Sequence, residues 1–373
     1  MTHGLMRCLT MNEEIFNHMP RKVGAEVKKR IEALKIGQKM QDLPQELWHE
    51  SFHRYYFDPE RKGGPNLRMI RLDPKKPSLT VTGYIFNKFV HPYEDRFITV
   101  REAARLQGFP DTVKFHGSLT STQQQVGNAV PVDLAKAVFS SVIKILAEHV
   151  DQDLNAISLF SGAGGMDLGA EQAHYKELKI NTVLCLEIWD DACKTLKTAV
   201  KPSTKICNHD ISQIDTPNKF VSQILGSPLL PDLIYGGPPC QAFSQAGKQK
   251  GTKDDRGNLV FNFMSFIEAF LPKAFVMENV SNLKSIEKGS LLKKLIIDAE
   301  NMGYNVEWGI LNSADFGSAQ IRKRLFLIGV KKEIGKPLLP LPTYSDQPDL
   351  ILQPYNTVGN AFNGLPVVIP LES

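Results

Sequence analysis

The 373-residue chain is 42% apolar and 23% charged, the balance of an ordinary globular protein with enough length for one large core and a smaller lobe. Its net charge of +4 is too weak alone to argue for nucleic acid, and neither a bilayer-length apolar run nor a basic-then-apolar leader occurs, so no membrane association and a cytoplasmic address are expected. Cys8, Cys185, Cys193, Cys207 and Cys240 form no CxxC pair and no Cys/His cluster of zinc spacing, so neither a disulfide framework nor a metal centre is expected.

In chain order, Val23, Val27, Ile31 and Leu34 make a helical stripe with Lys22, Lys28, Lys29 and Lys35 largely off it, and Gly37 is the expected C-cap. DPERKGGPN (58–66) and Asp73 to Pro77 read as turns. Residues 1–96 hold 17 Lys and Arg against 12 Asp and Glu, an excess compatible with phosphate contact and equally with a solvated face. Arg68 and Arg71 are candidates for groove or backbone contact, although solvated surface is the commoner fate of either alone. Leu134, Ala135, Val138, Phe139, Val142 and Leu146 mark a helix over Val132–His149, and Asp151, Gln152 and Asp153 form a polar link after it. Strands are then expected at Ala156–Phe160, Thr182–Glu187, Leu233–Tyr235, Ala274–Glu278, Asn305–Leu311 and Leu325–Val330. Amphipathic stretches such as Leu259–Phe270 and Leu291–Asn301 lie between them, the pattern of a parallel sheet covered by helices. Proline-rich Pro337–Pro354 looks like a loop leaving the sheet toward a small irregular lobe shared by both termini.

Three segments carry chemistry. LFSGAGGMDLG (159–169) joins a strand to a helix through glycines that let backbone approach a ligand, but Asp167 stands where a dehydrogenase fingerprint needs glycine. Glu187 ends the second strand, where a carboxylate can accept both ribose hydroxyls, and Asp210-Ile211 can face an adenine. Each acid alone is more often a surface group; in this order they become an adenosine site. In GGPPCQAFSQAG (236–247), two prolines hold the thiol of Cys240 with little conformational freedom. A lone cysteine is structural by default, and Cys185, Cys193 and Cys207 are read as core or partly buried thiols. Cys240 differs because Glu278 ends another strand, and neighbouring strand ends open into one crevice. Arg322 and Arg324, in SAQIRKRLFLIG (318–329), alternate along a strand start and so point to one side, which by itself would describe a basic sheet edge.

Together these strings resemble the DNA cytosine carbon-5 methyltransferase family: FSGAGG, PPCQ, ENV and QxRxR, with DDRGNL (254–259) after the nucleophile loop. RFITVREAARLQGFPD (96–111) is similar to the family's penultimate motif and QQVGNAVP (124–131) to its last, so the likeness covers roughly 20–111 and 124–366. The resemblance implies an α/β fold: a SAM-dependent, Rossmann-like, doubly wound and mostly parallel sheet with a small irregular target-recognition lobe. The motif order departs from the family, because its last two motifs come first. Joining Ser373 to Met1 would restore the order, which implies a circular permutation with the termini inside the recognition lobe. The implied division is 1–95 as the main recognition lobe, 96–150 as the last two motifs, 151–345 as the SAM-binding catalytic domain and 346–373 as the start of the lobe. Ala319 replaces the proline common before the Gln of QxRxR, and Ile188 replaces an aromatic, leaving adenine an aliphatic face.

The family's chemistry assigns roles residue by residue. Cys240 would attack carbon 6 of a flipped-out cytosine, Glu278 would protonate or hydrogen-bond ring nitrogen 3, Arg324 would contact the cytosine carbonyl and Arg322 would support that site. The cofactor, S-adenosyl-L-methionine, would be lined by Phe160, Gly162, Gly164, Glu187, Ile188, Asp210 and Ile211. Pro239 and Leu259 would close its methionine side, and Asn128, Ala129 and Val130 would complete the pocket. The implied partner is double-stranded DNA, with a cognate restriction endonuclease as functional pair and a monomeric enzyme. Three alternatives remain at this point: a tRNA cytosine carbon-5 methyltransferase, a non-catalytic DNA-binding partner subunit, and a dinucleotide oxidoreductase.

Overall fold

The computed structural model describes residues 15–58, 69–83, 88–239 and 259–368. The first lobe holds helices α1 (Ala25–Ala33) and α2 (Glu50–Phe57) and a short parallel pair, β1 (Ile70–Arg71) with β2 (Phe89–Val90). The apolar stripe of α1 lies on a small core of Met40, Leu43, Trp48, Phe52, Met69 and Phe97. Gly37 is not the C-cap: Leu34 leaves the helix in extended conformation to enter that core, and Gly37 takes φ +79° in the following turn. Arg71 is not a DNA contact either. Its buried guanidinium donates to the carbonyls of Ile31, Leu34, His91 and Glu94 and pairs with Asp95 at 2.5 Å, so it satisfies the end of α1. Arg68 lies outside the described residues.

Helices α3 (Val100–Leu106), α4 (Leu119–Asn128) and α5 (Val132–Leu146) lead to the main sheet. Its strands are β3 (Leu154–Leu159), β4 (His174–Tyr175), β5 (Leu178–Glu187), β6 (Lys205–Asn208), β7 (Leu233–Gly236), β8 (Ala274–Val280), β9 (Tyr304–Asn312) and β10 (Lys323–Lys331). They lie in the order β4–β5–β3–β7–β8–β10–β9, with β6 also beside β5. The central pairs are parallel, whereas β10 runs antiparallel to both neighbours. That reversal carries the start of β10 to the C-terminal end of β8, where Arg324 stands opposite Val280. All six expected strands are present; β4 and β6 are additional.

Alternation along each strand sorts side chains into two layers. Ala156, Tyr235, Val276 and Phe326 meet α5 and α6 (Gly165–Gln172) on one face. Ile157, Ile234, Phe275 and Leu325 meet α8 (Pro217–Leu225), α9 (Leu259–Phe270) and α10 (Ser290–Asn301) on the other. Helix α7 (Asp190–Ala199) follows β5. Thus α5, although it precedes the polar link at 151–153, is part of the sheet's own cover. Gly169 lets it approach closely, since a Cβ there would sit 2.4 Å from that of Ala135.

Beyond β10 the chain crosses the expected loop, interrupted by the two-residue strands β11 (Tyr344–Ser345) and β12 (Gln353–Pro354), and reaches α11 (Val358–Phe362). Val358 and Phe362 share a core with α3 and with Leu72, Val81 and Phe89 of the first lobe. Near the two ends of the described chain, His18 Nε2 lies 3.0 Å from the carbonyl of Pro366.

Candidate active site

A cavity of about 780 Å³ opens at the C-terminal ends of β3, β5, β7 and β8, on both sides of the point where strand order reverses. The turn after β3 forms one wall. Phe160 takes a left-handed φ of +56°, a conformation costly for a residue with a side chain, and Gly162 follows at the same angle. Both line the cavity. Gly164 does not: it caps α6 at φ +88°, and a Cβ there would lie 3.1 Å from Ala199 and Leu196. It serves packing against α7, and Gly165 takes the place at the cavity.

At the end of β5, Glu187 Oε2 accepts the Gly162 amide at 2.7 Å and Oε1 accepts that of Trp189 at 2.8 Å. Burial raises its pKa, and the backbone donors from Trp189 and Gly162 oppose that. A carboxylate has lone pairs beyond these two bonds, so both oxygens can still accept hydroxyls. Ile188 and Ile211 line the same wall, and so does Trp189, an aromatic one residue later than the expected position. Trp189 is not among the expected lining residues, although an aromatic two places after a strand-end acid is a signal legible in the sequence. Asp210 also lines the cavity, with Oδ1 accepting the Ser212 amide at 2.9 Å. Asn128 arrives from the last turn of α4, Ala129 and Val130 from the link to α5, and Pro239 and Leu259 from either side of residues 240–258. Gly165 fits against Val130 because a Cβ would stand 2.3 Å from its carbonyl oxygen.

Asp167 proves to be fully buried beneath this turn, accepting from Tyr235 at 3.0 Å and from Cys185 at 3.3 Å. Burial pushes its pKa up to about 6. The residue that broke the dehydrogenase pattern therefore ties α6 to β5 and β7. Cys185 and Cys193 are buried and Cys207 half-buried, as expected of structural thiols.

The opposite end of the cavity gathers the expected catalytic groups. Glu278 Oε1 pairs with Arg324 Nε at 2.9 Å. Burial raises the carboxyl's pKa, outweighing the guanidinium groups of Arg324 and Arg322, so it holds its proton to higher pH than an ordinary glutamate. Arg322 is 1% exposed, with Nη1 donating to Val81 and Nη2 to Gly127 at 2.9 Å. Among the described residues its Nε has no partner, and burial beside Arg324 pushes its pKa down to about 9. Sequence reasoning could not foresee this hub, because its two carbonyl partners come from segments about 195 and 241 residues away. Cys240 lies outside the described residues; Gly236, Gly237, Pro238 and Pro239, which lead to it, line the cavity. Among the described residues no His, Cys, Asp and Glu cluster could hold a metal ion, and no helix is long and apolar enough to cross a membrane.

Replacing Glu187 with Ala should remove a half-buried acceptor with capacity for two further hydroxyls. The expected loss is about 1–3 kcal/mol of SAM affinity, the usual range for a charged hydrogen bond, and titration calorimetry would show it. Unchanged affinity would place the nucleoside elsewhere.

The type II methyltransferase M.AquIA of Picosynechococcus sp. is 38% identical over 231 residues, which cover 57% of this chain and 90% of that protein. M.NgoFVII of Neisseria gonorrhoeae, also a type II methyltransferase, is 38% identical over 213 residues, covering 56% of this chain and 53% of that protein. The chain thus spans nine tenths of the first relative's length but about half of the second's. Among solved structures, a mutant of Spodoptera frugiperda DNMT2 is 20% identical over 54% of each chain with a TM-score of 0.39, too partial a likeness to argue from. The model of the C-5 cytosine-specific DNA methylase family matches residues 9–144 and 154–359, most of the molecule. With that match, the chain belongs to the C-5 cytosine-specific DNA methylase family.

Proposed function

We propose that the protein transfers a methyl group to carbon 5 of cytosine in a specific sequence of double-stranded DNA, as the modification enzyme of a restriction-modification pair. The observation that carries this reading is the paired Glu278 and Arg324 in one cavity with Glu187 and with the Pro238-Pro239 approach to Cys240. The cavity's volume and the spare acceptor capacity of Glu187 fit an adenosyl cofactor. SAM, when bound, supplies the methyl group.

Carbon 5 of cytosine is a poor nucleophile until the ring is activated. The Cys240 thiolate adds to carbon 6, and Glu278 delivers its proton to ring nitrogen 3 as the ring electrons shift toward carbon 5. After carbon 5 is alkylated and gives up its proton to water, the electron pair of that bond expels the cysteine thiolate from carbon 6, and Glu278 recovers its own proton from ring nitrogen 3. Arg324 holds the carboxyl in place and contacts the cytosine carbonyl, while Arg322 supports the pair. A stacked base is out of reach, so the cytosine must flip out.

DNA would lie between the sheet's C-terminal edge and the lobe formed by 1–95 with 346–373, and the basic balance of residues 1–96 would make affinity fall steeply with salt. We also read the chain as circularly permuted. The short distance between His18 and Pro366 and the packing of α11 on α3 support that reading. One experiment tests both proposals: bisulfite sequencing of DNA from cells expressing either this chain or a version with Ser373 linked to Met1 and opened at 151–153. Both should protect the same cytosines. No modified cytosine from the natural chain would defeat the activity, and an inactive, unfolded reordered chain would defeat the permutation.

A further inference from the structure

We infer that Asn279 is a positioning residue for the cysteine addition, acting through the Pro238-Pro239 segment. The inference rests on the activity proposed above. Strands β7 and β8 pair as far as Gly236 opposite Met277, and there the ladder stops. Proline has no amide hydrogen, so neither Pro238 nor Pro239 can donate a further rung to β8. Pro238 and Pro239 therefore have only their carbonyls with which to be held.

Asn279 supplies the missing donor. Its Nδ2 reaches the carbonyl of Pro238 at 2.9 Å, and its Oδ1 accepts the amide of Val280 at 2.8 Å. Both ends of the amide are engaged, and the residue is 2% exposed. The second bond fixes which way the amide faces, so the donor cannot turn away from Pro238. One residue earlier, Gly237 lets the main chain run against Glu278, where a Cβ would stand 3.0 Å from Oε2. The carboxyl that must protonate the ring and the segment that leads to the thiol are thus set against each other by a glycine contact and by one side-chain amide. Asn279 touches no reacting atom in this reading; it fixes the register between two groups that do.

The test compares full-length wild type, Asn279→Asp and Asn279→Ala in the rate of covalent trapping on a duplex carrying 5-fluorocytosine. Asp keeps the shape and the acceptor for Val280 but, when ionised, cannot donate to Pro238. Both variants should trap about 10- to 100-fold more slowly, the effect of a misplacement near 1 Å, with SAM affinity and melting temperature close to wild type. Lowering the pH should raise the Asp variant's rate relative to wild type, because a protonated carboxyl regains a donor, while the Ala variant shows no such recovery. A purely structural role would not produce that difference. Trapping by Asn279→Asp as fast as wild type would overturn the inference and leave the activity standing. So would slowing at every pH that follows loss of SAM binding and of the fold. Absence of any adduct in wild type would instead overturn the activity, and this inference with it.

Discussion

Cys240→Ser is expected to lower methyl transfer by at least about a thousandfold while leaving SAM binding and melting temperature almost unchanged. The substitution keeps the side chain's size but exchanges a polarizable thiolate for a hydroxyl that is hardly ionised near neutral pH. Duplex DNA should still bind, since base flipping depends on the cavity rather than on the covalent bond. The sharper measurement uses a duplex with 5-fluorocytosine at the target position. Fluorine cannot leave as a proton does, so wild-type enzyme with SAM should remain attached to DNA through a denaturing gel, and peptide mapping should find the attachment at Cys240. Three of the other thiols are poor competitors: burial raises the pKa of Cys185, Cys193 and Cys207, and a protonated thiol is a weak nucleophile. An adduct on any of those three, or one that survives in Cys240→Ser, would sink the mechanism.

The catalytic half of the molecule was legible wherever short-range rules decide structure. Buried strands such as Ala274–Val280 announce themselves as apolar runs, and α9 covers the residues its amphipathic pattern indicated. Strand β6, Lys-Ile-Cys-Asn at the margin of the sheet, has no fully buried residue and so carries no such signal. Arg71 and Arg322 mark the other limit. Both read as basic surface or site residues, yet each ends up buried with backbone carbonyls as partners, and those carbonyls come from distant segments. Gly164 and Trp189 show how far a motif fixes its members: glycine is needed at both 164 and 165, but a Cβ at one would meet α7 and at the other Val130 beside the cavity. Likewise, the aromatic thought to be missing at 188 stands at 189. What pattern supplied was where the strands lie along the chain. What it could not supply was which polar groups the remote chain would cover.

Glu278→Gln should slow covalent trapping by about 10²- to 10⁴-fold, the usual contribution of a positioned acid, because ring nitrogen 3 loses its proton donor. The pH dependence gives a more specific expectation. Productive addition needs Cys240 ionised and Glu278 protonated at once. Burial raises the Glu278 pKa above that of an ordinary glutamate, with Arg324 the larger opposing influence. Below the pKa values of both groups, each unit of pH should raise the wild-type rate about tenfold as thiolate grows. Between them, every gain in one required form is matched by loss of the other or the first is already complete, so the rate should level off, and above both it should fall as protonated Glu278 disappears. In Glu278→Gln the amide does not titrate. The fall at high pH should therefore vanish, and the slower rate should climb until the thiol itself is ionised, then stay flat. Trapping rates measured from about pH 4 to pH 10 on both proteins would decide it. A fall at high pH retained in the Gln variant would assign the proton to another group.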